Sequence, residues 1–470
     1  MTNLSPVVSR RAALRSVASG FGYLAFAGLA HAEAAKQAAP LAPKPTHFPA
    51  KAKRVIFLCM NGGPSHVDLF DYKPELNKRS GEVSPVGGGK LLGSQFAFKQ
   101  HGKAGLWVSE VFPELAKHAD DLCVIRSMHT DLPNHSQAFM QMHTGSFQFV
   151  RPSVGAWTLY GLGTENANLP GFVTVNPPSD NGGARNYGSA FLPAINQGTR
   201  IGGNQIPGFY AKLLGKDEEP GPPLKNVSNP DLPRDIQRAQ LDLVGDLNRL
   251  KLARDGHHPE IEGAIASFEL GFRMQDEVPK VLDLRAEPKA VLDSYGVGAG
   301  LPTDRFARQC VMARRLVEAG VRFVEVTAPV QWDHHFMLKD ELKKSGVATD
   351  LPVAGLLADL KARDMLKDTL VIWAGEFGRT PYAQSLHGRD HNNKGYTIWM
   401  AGGGVKGGLS YGSTDEFGYR AVEDQVHIQD WHATVLHLLG LDHKKLTFNY
   451  GGRDFRLTDV GGQVVKGLFA

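Results

Sequence analysis

The sequence predicts an α/β fold with a mostly parallel central sheet and helices on both faces. Two patterns carry this. Short apolar runs rich in β-branched and aromatic residues alternate with stretches of helical spacing, the order that builds a parallel sheet between helices. Four of the runs end in loops bearing His, Asp or Glu, and those loops would gather at one sheet edge, where open α/β sheets hold their ligands. The 470 residues allow one large domain of this kind or two average ones.

The elements follow in order. Arg54–Met60, RVIFLCM, reads as the first buried strand and runs into Asn61-Gly62-Gly63-Pro64-Ser65-His66-Val67-Asp68. Residues 78–102 are rich in Gly and Ser and predict an irregular excursion. A short helix is expected over Phe112–His118, a strand over Leu122–Met128, helical character over Ser136–His143 and a strand over Gly171–Asn176. Helices expected over Asp235–Ala253 and Glu260–Gln275, with the irregular stretch before them, form a helical insertion spanning residues 200–300. Thr303–Ala319 reads as a helix stopped by Gly320, Val321–Thr327 as a strand and Leu351–Arg363 as a helix. Thr369–Ala374, TLVIWA, is too short for a helix and reads as a buried strand ending in Gly375-Glu376-Phe377-Gly378-Arg379. Gly388-Arg389-Asp390-His391-Asn392-Asn393 lies in the loop to the next strand, Tyr396–Ala401, and an apolar helix over His432–Leu439 follows.

Hydrophobic residues make up 42% and charged residues 21%, which is globular composition. Of the net charge of +4, three units come from Arg10, Arg11 and Arg15 in an acid-free leader, so no nucleic-acid footprint is present. Ser9-Arg10-Arg11, the uncharged Ser16–Ala30 stretch and Ala30-His31-Ala32 predict a twin-arginine signal peptide over residues 1–32 and a periplasmic mature chain from Glu33. The stretch is too short and too rich in Gly, Ser and Ala for a membrane anchor, so no integral membrane segment is expected in the mature chain. Residues 33–53, rich in Ala, Pro and Lys, read as a linker, and 54–470 as the folded domain. Three widely spaced cysteines give neither a disulfide framework nor a zinc knuckle.

The four loops offer His66, Asp68 and Asp71; Asp131, Asn134 and His135; Asp333, His334 and His335; and Glu376, Asp390 and His391. Mixed carboxylate and imidazole sets suit zinc, manganese or ferrous iron better than magnesium or calcium. Two such ions about 4 Å apart can clamp a phosphoryl or related ester. Plainer readings stand beside this one. Asp68 and Asp71 could cap a helix near Lys73, Asn134 could be an N-cap, and Glu376 could pair with Arg379. His334 is expected to point away from His335, and Asp430 and His432 could be a cap and a solvent face. The chain has no G-x-S-x-G elbow, no G-x-G-x-x-G after its first strand and no H-E-x-x-H.

GGPSHVDLFDYKP, the Asn134–Gly145 stretch, RRLVEAGVRFVEV with WDHH, AGEFGRTP, GRDHN and HATVLHLLGLDH together resemble the bacterial domain of unknown function family 1501. That family is similar to the alkaline phosphatase and sulfatase superfamily, so the resemblance implies that superfamily's fold and metal-dependent hydrolysis of phosphate or sulfate esters. It implies that Asp333, His335 and His391 hold one metal. Glu376, with an acid from the first loop, would hold a second. The first-strand Asp of the superfamily is replaced by Asn61, leaving Asp68; Phe377 stands where it has His; and Thr130-Asp131-Leu132-Pro133-Asn134-His135 carries one residue more than Thr-x-Pro-Asn-His. One or two ions, zinc or manganese, are therefore expected. Asp68, Asp333, His335, Glu376, Asp390 and His391 are the expected ligands or ligand partners. Asn134, His135 and Arg379 would contact the anion. Thr130 or an activated water would be the nucleophile. The expected function is an exported ester hydrolase acting on an anionic substrate. The alternative is a degenerate relative that binds a sulfated or phosphorylated polysaccharide without cleaving it.

Overall fold

The apolar runs become strands because each is covered on both faces. β1 (Arg54–Cys59), β2 (Leu122–His129), β3 (Phe172–Val175), β4 (Thr199–Ile201), β5 (Phe323–Thr327), β6 (Thr369–Ala374), β7 (Tyr396–Ala401), β8 (Leu409–Tyr411) and β9 (Val426–His427) form one sheet. Its order is β8-β2-β7-β6-β1-β5-β3-β4, with β9 also paired to β2. The computed structural model describes residues 41–202, 231–256, 259–300, 302–385 and 387–470. The expected signal peptide and most of the irregular start of the insertion lie outside them. Among the described residues, no helix is long and apolar enough to cross a membrane.

Side chains alternate between two cores, as the period-2 geometry of a strand requires. Ile56, Leu58, Val324, Val326, Val371 and Trp373 face the helices Thr303–Glu318 and Leu338–Ala362. Val55, Phe57, Cys59, Leu370 and Ile372 face the helices His135–Thr144, Val154–Leu162 and Ile428–Leu438. Within this sheet, among the described residues, every pairing is parallel except those of β7, which runs antiparallel to both β2 and β6. The physical reason lies in the connection. After β6 the chain stays at the carboxyl edge, and a strand entered from that edge must run back.

That connection is a hairpin, Gly378–Gln384 against Gly388–Asn392, where the sequence suggests a loop. It is held from below by the 78–102 excursion. Leu92 N donates to Pro381 O at 2.9 Å and Ala383 N to Lys90 O at 2.9 Å. The excursion is also less irregular than expected, since Phe98–His101 pairs with Leu106–Ser109. Other boundaries move for local reasons. The Leu338–Ala362 helix starts well before the expected Leu351 and carries Pro352 inside, because Leu342, Ser345, Ala348 and Thr349 are buried along its first half. The expected Phe112–His118 helix is a 3₁₀ segment, Leu115–Asp121. Val154–Leu162 is apolar on nearly every side and buried except at Tyr160, so its helical period is invisible in the sequence. The insertion holds the helices Arg234–Asp255 and Pro259–Leu282, joined by a bidentate Arg238–Glu269 pair. The described end of the expected linker follows the body: Lys44 N bonds Leu162 O at 2.9 Å and His47 N bonds Gly440 O at 2.9 Å.

Asp68 is not at the polar centre of the sheet edge, which corrects its expected role as a metal ligand. It lies fully buried in the short helix His66–Leu69, where Arg389 of the hairpin grips both its oxygens, Nε to Oδ2 at 2.7 Å and Nη2 to Oδ1 at 3.2 Å. Ser65 Oγ donates to Oδ2 as well. With both side chains at 0% exposure, the pair anchors the hairpin to the end of β1. Removing one partner of such a pair strands the other charge, whereas replacing both with apolar groups does not. Asp68→Leu is expected to lower the unfolding free energy by about 3–5 kcal/mol in urea titrations of chelator-treated protein, and Asp68→Leu with Arg389→Met to recover most of that loss.

Candidate metal centre

Four segments bring their side chains to the carboxyl edge of the sheet. Asn134 caps the helix after β2 and so sets His135 on its first turn. Asp333 and His335 follow β5, Glu376 follows β6, and Arg379, Gln384 and His391 sit on the hairpin, with His391 directly opposite Arg379. Two glycines permit the close approach. Gly62, at φ +118°, lets the end of β1 lie against the Trp332-Asp333 backbone; a Cβ there would stand 2.6 Å from Asp333 N. A Cβ on Gly388 would stand 1.9 Å from the His335 carbonyl.

The imidazoles of His135, His335 and His391 converge on Asp333 Oδ1. Their Nε2 atoms lie 3.1, 2.9 and 3.4 Å from it, and the Nε2 atoms of His335 and His391 are 2.9 Å apart. Each ring is held from behind through Nδ1 by an acceptor oxygen: Glu376 Oε1 at 2.6 Å for His135, Gln384 Oε1 at 2.5 Å for His335 and the Pro133 carbonyl at 2.8 Å for His391. An acceptor behind Nδ1 takes the N–H there, so that the neutral ring turns its Nε2 lone pair inward. Glu376 is itself buried and accepts from Gly62 N–H through both oxygens, at 3.1 and 3.2 Å. Phe377 packs in tilted contact with His135 and His391, with ring centroids 4.9 and 4.7 Å away. The Asp333 side chain keeps 35% of its surface exposed, so the centre opens to solvent.

The charges are tightly balanced. Burial alone would lower the His135 pKa, but Asp333 and Glu376 outweigh it and lift it to about 9. Burial likewise works against the Asp333 carboxylate, and His135, His391 and Arg379 overcome it, holding that group far below the usual carboxylate range. His334 points into the protein toward Ser345 Oγ, and burial pushes it down to about 4, so it is the bystander of the His334-His335 pair.

This donor set fits a divalent ion. Two ligands bound tetrahedrally at 2.0–2.1 Å stand about 3.3 Å apart, and the closest pairs here are 2.9–3.4 Å apart. His135 Nε2 is also a buried nitrogen without a hydrogen-bond partner, because its approach to Asp333 lacks hydrogen-bond geometry. Three imidazole nitrogens and one carboxylate oxygen form a borderline-soft set of the kind that zinc takes.

The other expected site residues take supporting or separate positions, each for a local reason. Glu376 stands behind His135, orienting it. Asp390 accepts from the His391 backbone N–H at 2.8 Å, which shapes the hairpin bulge and turns the side chain away from the cluster. Arg379 is not a free anion receptor. Its fork is spent on Asp333 Oδ1, on the Gly62 and Gly63 carbonyls and on the Arg389 carbonyl, and it is fully buried. Asn134 is a helix cap, and the Thr130 hydroxyl donates to Gln141 Oε1 at 2.8 Å. Asn61, in place of a first-strand acid, accepts from Asn181 Nδ2 at 3.1 Å. His66 bonds the Gly418 carbonyl, Asp71 pairs with Lys73, Asp131 bonds Gln141 and His427, and Asp430 closes a capping box. Sequence reasoning missed Gln384 and the Pro133 carbonyl, which have no signal of their own. His135 was expected on the anion and instead lies with Asp333, His335 and His391 in the group that could hold an ion.

The model of the family described as protein of unknown function (DUF1501) matches residues 52–469. The chain belongs to that family. No curated protein matches it. Among solved structures, it is similar to the lipoteichoic acid synthase LtaP from Listeria monocytogenes at 10% identity, covering 89% of this chain and 78% of that one with a TM-score of 0.34. It is similar to the alkaline phosphatase from the Antarctic bacterium TAB5 at 10% identity, covering 83% and 98% with a TM-score of 0.35. It is also similar to the PsFucS1 sulfatase from Pseudoalteromonas sp. at 12% identity, covering 83% and 68% with a TM-score of 0.32. At these scores the likeness says nothing about the chemistry of this chain, which rests on the geometry above.

Two outcomes follow for metal binding. Below about 9, His135 in the metal-free protein carries a proton that an ion must displace. Affinity measured by chelator competition should therefore rise about tenfold per pH unit from 7 toward 9 and then flatten. The same raised pKa stabilises the metal-free fold in full below about 6.5, a contribution lost as pH climbs to about 9. Glu376→Gln should weaken metal binding by about 10–100-fold, since it removes the charge that orients and polarises His135, while Asp390→Asn should change it little.

Proposed function

We propose that this protein is an exported, zinc-dependent hydrolase of phosphate or sulfate esters that works with one ion at the sheet edge. One observation carries the reading: three imidazoles, each with Nδ1 on a fixed acceptor, turn their Nε2 atoms onto a single carboxylate oxygen in a centre open to solvent. A divalent ion that takes a fifth ligand on the solvent side would supply Lewis acidity there, polarising an ester oxygen and easing deprotonation of water. His135, Asp333, His335 and His391 would hold it, and Glu376 and Gln384 orient two of the rings. Arg379 keeps Asp333 ionised and in place from below. Because Asn61 carries an amide, Asp68 is held by Arg389 and Asp71 is held by Lys73 and Thr414, the first loop brings no free carboxylate for a second ion at this edge. With the Thr130 hydroxyl engaged by Gln141, water is the nucleophile in this reading.

Zinc-loaded protein should turn over at least one of a panel of aryl phosphates and aryl sulfates. Chelator should abolish the activity, and His391→Ala should lower kcat/KM by at least about 100-fold. No turnover across the panel, with binding of sulfated polysaccharide retained, would replace this reading with that of a binding protein. For export, Arg10→Lys with Arg11→Lys should leave the chain in the cytoplasm; an unchanged periplasmic yield would refute the twin-arginine route.

A further inference from the structure

A second group of ligand-type side chains lies inside the sheet–helix interface, and neither the fold nor the centre above uses it. Cys59 ends β1. Glu325 is central in β5, with its side chain on the same sheet face as those of Phe323 and Thr327, and His143 comes from the helix that also carries His135. Register sets Cys59 beside Thr327 and Phe57 beside Glu325. The ligand atoms of Cys59, His143 and Glu325 all lie within 4.8 Å of one another. All three residues are buried, at 0%, 0% and 1% exposure, on a face otherwise lined by Phe57, Phe139 and Phe172.

A glutamate in the middle of a buried strand is costly unless its oxygens are answered. Here they are answered only in part. Glu325 Oε1 lies 3.2 Å from His143 Nε2, but Oε2 is buried without a partner, as are the hydroxyls of Thr327 and of Thr174, the register neighbour of Glu325. His143 is prepared as the three outer histidines are. Its Nδ1 is fixed at 2.7 Å by the Phe139 carbonyl, which aims Nε2 at Glu325, and an ion entering there would displace the proton that Nε2 shares with the carboxylate. The 3.2 Å between Nε2 and Oε1 matches the roughly 3.3 Å between two tetrahedral ligands of one ion.

We propose that Cys59, His143 and Glu325 form a second, fully buried metal site that takes a zinc-like borderline-soft ion. An ion there staples the helix bearing His135 to β1 and β5, and so bears on the geometry of the outer centre from within the core. Being closed to solvent, it is filled while the chain folds. The outer centre can exchange its ion afterwards. The site stands independently of the hydrolase reading, because sulfur marks it: the outer centre contains none, and Cys123 and Cys310 belong to neither ligand cluster.

The test uses the full chain produced in zinc- or cobalt-supplemented medium. Zinc X-ray absorption of the wild type should show a sulfur neighbour at about 2.3 Å. The cobalt form should show a near-ultraviolet thiolate-to-cobalt charge-transfer band that persists after chelator has emptied the outer centre. Cys59→Ser should lose the band and one ion per chain, whereas His391→Ala should keep the band. Metal-loaded wild type with no sulfur in its metal shell would overturn the proposal, and the His143–Glu325 contact would then be a buried ion pair beside an apolar thiol. That measurement needs no variant to fold, and an inactive protein would leave its outcome unchanged.

Discussion

One carboxylate oxygen, Asp333 Oδ1, organises the polar edge of this molecule. Three imidazoles and a fully buried guanidinium are directed at it, while part of the same side chain stays in water. In the metal-free chain these groups crowd around one oxygen, and the two carboxylates, Asp333 and Glu376, outweigh burial and keep His135 charged there. Such a cluster is stable only if the groups around it cannot relax away. Each therefore has a second tether: Nδ1 bonds for the rings and carbonyl bonds for Arg379.

The tethers in turn depend on the reversed strand. Because β7 is entered from the carboxyl edge, the preceding hairpin has to fold over that edge, and it carries Arg379, Gln384 and His391 with it. The buried Asp68–Arg389 pair, with the hydrogen bonds from the 78–102 excursion, locks the hairpin onto the end of β1. A residue that looks like a ligand in sequence thus serves the site by holding the platform on which a ligand stands. The cost of desolvating that pair is met by bidentate geometry and by further bonds to Ser65 and to the Thr380 carbonyl.

The helix His135–Thr144 links the edge to the core. His135 sits on its first turn, at the sheet edge, and His143 on its last full turn, against Glu325. Burial, then Glu325 and Glu376, oppose ionisation of Cys59; against burial, Glu325 and Glu376 raise His143, and Asp333 and Glu376 raise His135, so Glu376 is felt in both clusters. A polar path through an otherwise apolar sheet face is unusual for this kind of core, where unanswered polar groups are costly.

The sequence by itself determined the sheet and its ligand edge. Runs such as RVIFLC and TLVIWA are too short and too β-branched for anything but buried strands, and β6 and β7 lie where the pattern puts them. The strand-then-loop pattern put Asp333, His335 and His391 among the candidates for that edge, and only the resemblance to a known superfamily singled out the trio. Which polar residues face inward was decided only by tertiary structure. Asp68, Asp390, Arg379 and His135 are equally plausible as ligands or supports when read along the chain; their roles depend on which neighbour, from a segment up to 321 positions away, takes their hydrogen bonds first. The hairpin, Gln384 and the Pro133 carbonyl left no mark in sequence, since a backbone oxygen or a surface-type amide gains its function from position alone. The same holds for Glu325, whose burial beside Cys59 and His143 arises only when a helix from one end of the domain closes over strands from two others.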